Sequence, residues 1–153
     1  MNKITGIILT ILLLVSCKDS EKNSESENQL TQTELIPESN QTELIVQKIL
    51  DLPDLQWIYH PESKERLPVK VLESDLVEKT FNLNKFGQKV RILSLMELEK
   101  EGINDYVVID KLEIKKDMTD FEISYKIEGA GSAGKFVKEN GEWKVLDYSV
   151  WEN

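Results

Sequence analysis

Apolar residues are spread unevenly along the chain. Residues 7–15 (IILTILLLV) are apolar apart from one Thr, and residues 18–43 then show no apolar periodicity. From residue 44 a pattern returns. Leu44, Ile45, Ile49 and Leu52 recur at helical spacing and predict a helix near residues 41–51. Asn40 and Glu43 have the spacing of a capping box before it, and Pro53 stops the pattern. Residues 54–60 (DLQWIYH) fit a helical turn or a strand. Val69 to Leu72, after Pro68, predict a strand. Residues 75–81 predict a short helix with Leu76, Val77 and Phe81 inward, and Val90, Ile92, Leu93 and Leu95 a further strand. Ser94 and Glu97 form a second capping box, and Gly102 is a helix stop, so one or two helical turns are expected over 95–101.

The last third carries the clearest signal. Residues from Tyr106 to Ile114 are rich in β-branched side chains, and a charged turn (KKDMTD, 115–120) follows. Phe121, Ile123, Tyr125 and Ile127 then alternate with Glu122, Ser124, Lys126 and Glu128, which predicts a strand with one buried face. Residues 136–139 and 142–150 flank Asn140-Gly141, the strongest short hairpin signal. In that register Phe136 faces Val145, and Lys138 faces Trp143. The last strand would show Trp143 and Val145 on one face but Leu146, Tyr148 and Val150 on the other. Either a bulge shifts the register there or both faces are covered.

Helix first and strands afterwards predict an α+β domain in which N-terminal helices pack on a curved antiparallel sheet. Residues 121–151, with the hairpin GEWKV, resemble the C-terminal hairpins of nuclear transport factor-like (cystatin-like) α+β domains. The resemblance covers about the last third of the chain. It implies a bent sheet around a cone-shaped pocket that binds a ligand, catalyses, or mediates dimers, and it assigns no residue a role.

The N-terminus has a different character. Lys3 is the only charged side chain before residue 18. The nine apolar residues fall short of the ~20 that cross a bilayer as a helix. A short apolar core behind a positive start is the build of a secretory signal. It ends in Leu14-Val15-Ser16-Cys17, which resembles the lipobox of bacterial lipoproteins. That resemblance implies cleavage before Cys17, a diacylglycerol on its thiol, and usually an acylated new amino terminus. Cys17 is the only cysteine in the chain, and lipidation explains a lone thiol in an exported protein. Lys18-Asp19-Ser20-Glu21 resembles the export signal of surface lipoproteins in some Gram-negative bacteria, so the expected location is the cell envelope, at the outer membrane. The organisation follows: signal peptide 1–16, lipidated cysteine and flexible tether 17–43, and one domain over 44–153.

Composition adds exclusions. Residues 18–43 hold seven acids against two lysines and no aromatic, too little apolar surface to offset ordering entropy. The formal charge of −9 argues against nucleic acid, which is bound through basic residues, and favours a basic partner if any. With its one cysteine lipidated, the domain would have no disulfide, and its fold would rest on packing.

Candidate chemistry is sparse. Gly129 to Gly134 match G-x-G-x-x-G, but the dinucleotide fingerprint needs a following helix in a βαβ unit, whereas a strand and an Asn-Gly turn follow here. The stretch is read instead as a flexible connection between strands. His60 is the only histidine, no nucleophile elbow accompanies it, and one histidine with no free cysteine does not make a zinc site. No metal or cofactor is expected. Trp57, Tyr59, His60 and Trp143 are candidates to line a ligand pocket, since amphipathic aromatics suit such sites as well as cores. Asp105, Asp110, Asp117 and Asp120 could pair for acid–base work, which needs two carboxylates at a set separation that sequence does not show, or form a solvated face. The expected function is an envelope lipoprotein with a small domain binding an unknown protein or small molecule, and not an enzyme. The alternatives are an immunity-type lipoprotein that neutralises a toxin, and a small enzyme with a pocket in a cone-shaped fold.

Overall fold

A computed structural model describes residues 38–152. The signal peptide, Cys17 and nearly all of the tether lie outside the described residues. The first helix, α1, runs Glu38–Leu50, so helix begins inside the segment read as tether. Asn40 and Glu43 are therefore interior residues rather than a cap. Glu43 Oε1 instead accepts the Asn82 backbone N–H at 2.9 Å. The Gln47 side-chain amide pairs in both directions with the backbone of Asn84, at 2.9 Å each way. Ile45, Val46, Ile49 and Leu50 are fully buried, the i, i+1, i+4, i+5 stripe of an amphipathic helix.

Two 3-10 turns follow, Pro53–Leu55 and Trp57–Tyr59, which decides residues 54–60 for the helical turn. A third covers Lys64–Arg66, and β1 is Lys70–Leu72. No helix forms over 75–81. Ser74 and Val77 make an isolated antiparallel bridge, although Val77 and Phe81 do turn inward. Next comes a small hairpin absent from the sequence-based reading: β2, Asn84–Lys85, and β3, Gln88–Lys89. Its tip is Phe86 and Gly87, at φ 50° and φ 73°. These are the two positive-φ positions of a type I′ turn. After it comes β4, Arg91–Leu93.

Helix α2, Leu95–Glu101, has the expected caps. Ser94 Oγ accepts the Glu97 N–H at 3.3 Å, the Glu97 carboxylate accepts the Ser94 N–H at 2.8 Å, and Gly102 is left-handed at φ 68°. Bonds from Lys79, foremost, and from Ser94 hold the Glu97 carboxyl at about 2. A carboxyl lowered on folding adds stability above its unfolded range, and loses it as pH falls through the folded value. Ser94→Ala removes one cap bond and is expected to cost about 1 kcal/mol in denaturant unfolding. It should also bring the acid-side loss of stability to a higher pH.

The C-terminal strands are β5 (Val107–Ile114), β6 (Met118–Tyr125), β7 (Ala130–Glu139) and β8 (Glu142–Glu152). A 3-10 turn, Lys126–Glu128, separates β6 from β7, so alternation ends at Tyr125 and Ile127 is exposed. The six-stranded sheet has the order β4-β1-β5-β6-β7-β8. The expectation of an antiparallel sheet holds only for β5 to β8. β1 runs parallel to both β4 and β5, so the sheet is mixed and the fold is α+β. Parallel neighbours need crossovers of about a dozen residues or more. Segments 73–90 and 94–106 supply them.

The β7–β8 hairpin has the predicted register, Phe136 opposite Val145 and Lys138 opposite Trp143, with positive φ at Asn140 and Gly141. Beyond it Lys135 pairs with Asp147, so Leu146 is the extra residue of a bulge. Residues 130–134 are strand rather than loose connection, paired to β6 on one side and β8 on the other. Their small size has a steric cause. A Cβ on Gly134 would fall within 3.0 Å of Asp147 O and Tyr148 Cβ, and one on Gly131 would strike the Trp151 ring and Ile123 O. One core cluster unites the buried α1 residues with Leu55, Ile58 and Tyr59 of the turns and with Val71, Val107, Ile123, Phe136 and Trp143 of the sheet.

Candidate functional site

The residues singled out from sequence have different surroundings. Trp57 is 44% exposed on its turn. Tyr59, two residues on, is buried, its ring edge-on to Phe86 at 6.0 Å and tilted against Tyr125 at 6.1 Å. The Lys85 ammonium sits 5.7 Å from the Tyr59 ring and 2.7 Å from Asp51 Oδ1. The Tyr59 hydroxyl is buried with no hydrogen-bond partner among the described residues. Burial, and then the Asp51 charge, push its ionisation far above the usual tyrosine range. Trp143 is buried elsewhere, under the Lys138 ammonium at 5.6 Å. It lines an open groove of about 440 Å³ with Leu52, Pro53, Phe136 and Val145, and Trp57, Tyr59 and His60 take no part in that groove. On the sheet face that carries Phe121, Ile123, Tyr125 and Phe136, these side chains are themselves the core.

What the fold does bring together is a chain of charged residues running inward from His60. At its inner end, Lys70 on β1 is 6% exposed. Its ammonium donates to Asp105 Oδ2 at 3.1 Å and to the carbonyls of Glu65 and Arg66 at 3.2 and 3.0 Å. Three acceptors match the three N–H groups of an ammonium. Asp105 lies between α2 and β5, and its other oxygen accepts from the Tyr125 hydroxyl and, at 3.4 Å, from Arg66 Nη1. Arg66 Nη2 reaches Glu128 Oε1 at 2.7 Å, and Glu128 Oε2 lies 3.5 Å from His60 Nε2. The outer end is Glu62, 2.9 Å from His60 Nδ1.

Local structure explains the convergence. The Lys64–Arg66 turn aims Arg66 at the β6–β7 turn that carries Glu128, while β1, next to β5, places Lys70 beside the residue that precedes β5 by two. His60 has a left-handed backbone at φ 46° and caps the Trp57–Tyr59 turn. Such a backbone is uncommon for a residue with a side chain. The His60 pKa is raised, first by the bond to Glu62 and also by Glu128, against partial desolvation and Arg66. Glu62 is lowered in turn, by its own backbone N–H and then by His60.

The chemistry open to this network is limited by its self-neutralisation. Lys70, Arg66 and His60 oppose Asp105, Glu128 and Glu62. A histidine acting as base for a nucleophile turns one nitrogen to a hydroxyl or thiol. Here both nitrogens face carboxylates. No group of three or more His, Cys, Asp or Glu among the described residues is arranged to hold a metal ion. Sequence reasoning named Asp105 among acids that could pair for acid–base work, and missed Arg66, Lys70, Tyr125 and Glu128.

A second feature is an open groove of about 400 Å³ on the opposite sheet face, floored by Ala133, Gly134 and Ser149. Lys111, Glu122 and Asp147 rim it, and Asp120 bridges Lys115 at 3.3 Å and Lys135 at 3.6 Å. No helix among the described residues is long and apolar enough to cross a membrane. Compared with known protein families, curated proteins and solved structures, the chain matches none.

Proposed function

We propose that this chain is a lipid-anchored protein of the bacterial cell envelope whose domain is a binding module for a protein or small-molecule partner. One observation carries the anchor: the apolar run 7–15 ends at Leu14-Val15-Ser16-Cys17, and that cysteine is the only one in the chain. Burial of acyl chain yields about 0.8 kcal/mol per CH₂, so two or three chains on one residue hold without a second signal. Lys18-Asp19-Ser20-Glu21 favours the outer membrane in this reading.

Binding is preferred to catalysis because the strongest acid–base candidates neutralise one another. A pocket enzyme would place His60 inside a cavity, whereas its side chain is 36% exposed and flanked by Glu62 and Glu128. We read the fold more finely as N-terminal helices packed on a curved sheet. Supporting this, Ile45, Val46, Ile49 and Leu50 share one core cluster with Phe121, Ile123 and Phe136.

Cys17→Ser tests the anchor in a bacterial host supplied with labelled fatty acid. The expected result is an unprocessed precursor without label. Normal processing and membrane retention of the mutant would refute the proposal.

A further inference from the structure

Both ring nitrogens of His60 face carboxylate oxygens, Nδ1 at 2.9 Å from Glu62 and Nε2 at 3.5 Å from Glu128. A neutral imidazole has one N–H, and an ionised carboxylate only accepts. The neutral ring can therefore serve one acid, and the shorter contact assigns its N–H to Glu62 and its lone pair to the side of Glu128. The imidazolium serves both. Glu128 is anchored by Arg66 at 2.7 Å, which limits its freedom to turn away from an unsuitable ring.

We propose that His60 is a pH-operated clasp: as imidazolium it ties the segment after the Trp57–Tyr59 turn to the β6–β7 turn, and loss of its proton releases that tie. Among the described residues, three charged groups act on the ring. Glu62 comes from its own segment, Glu128 from the β6–β7 turn, and Arg66 from the Lys64–Arg66 turn. The two acids favour the cation and Arg66 opposes it. Behind Arg66, Asp105 and Lys70 complete the network.

The direction follows from linkage. A histidine whose pKa is raised on folding contributes stability in full below its unfolded value, about 6.5, and loses that contribution as pH rises through the folded value. The clasp is closed in mildly acidic surroundings and opens on the alkaline side. No other side-chain type ordinarily changes charge between about pH 5 and 8. This chain has a single histidine.

That single histidine makes the test clean, because the full-length chain in detergent gives one imidazole resonance to titrate by NMR. We expect a midpoint above the ordinary value of about 6.5, lowered in both Glu62→Gln and Glu128→Gln. Amide protection factors in residues 60–63 and 126–129 should fall as pH rises through that midpoint, and His60→Gln should abolish the change. A wild-type midpoint at or below the ordinary value would overturn the clasp, as would one unmoved by Glu128→Gln. Those two readings stand even if His60→Gln does not fold.

Discussion

Asp105→Ala is expected to lower the unfolding free energy by about 3 kcal/mol, the low end for breaking a buried ion pair. The low end applies because the Asp105 side chain keeps 15% exposure. The loss comes from what stays behind. The Lys70 ammonium, on a residue 6% exposed, would retain two carbonyl acceptors but no counter-charge, and the Tyr125 hydroxyl would lose its acceptor. Arg66 suffers less, since Glu128 still holds it. Denaturant unfolding measures the effect. Adding Lys70→Met to the Asp105→Ala protein should recover part of the loss, because replacing a buried charge with an apolar side chain removes the desolvation penalty. A double mutant no more stable than the single one would show that Asp105 acts through Tyr125 and Arg66 instead.

Gly134→Ala should be similarly damaging for a steric reason. The added Cβ would meet the Asp147 carbonyl and the Tyr148 backbone, not the end of a flexible side chain, so β8 itself must move. Overpacking typically costs about 1–3 kcal/mol, and a site closed by backbone belongs at the upper end, about 3 kcal/mol. Gly141→Ala is the informative comparison. Nothing lies near its Cβ, and its cost is only that of a positive φ of 85°. If the two variants unfold together, close approach of β7 and β8 is not what keeps residue 134 a glycine.

These two sites also show where sequence was readable. Turn chemistry was. Asn140-Gly141 marked the hairpin, its pairing of Phe136 with Val145 followed, and the mismatch of apolar positions after Val145 left a bulge or two covered faces, of which the structure has the bulge, at Leu146. The α2 cap was equally plain, since Ser94 and Glu97 satisfy each other within three residues. Legibility failed wherever the deciding contact was distant. Gly129 to Gly134 resemble a loop because small residues are poor strand formers. Only the neighbouring strands make the glycines at 131 and 134 obligatory. β1 and β4 were expected as strands, but three residues each carry no sign of direction, and their parallel pairing depends on crossovers with no sequence signature. Asn40 and Glu43 had the spacing of a cap, but Glu43 was needed at Asn82.

The polar network was hidden for the same reason. Arg66 and Asp105 are 39 residues apart, Lys70 and Asp105 35. In sequence they are single charges among many, and only β1 inserted beside β5 makes them neighbours. The Phe86-Gly87 hairpin is the exception, since a glycine turn between two short polar runs was a local signal that could have been read.

The mixed order of the sheet bears on how the chain acquires its fold. β5 to β8 join through short turns, and such local pairings close with little loss of loop entropy. The earlier half has the local β2–β3 hairpin and the β1–β4 pair, but its core is completed only by later strands. β1 needs β5 as a neighbour, and Asp54 meets Tyr148 across 94 residues. The half synthesised first therefore waits for the half synthesised later, and a chain emerging from a ribosome cannot finish its core until Trp143 and Tyr148 have come through.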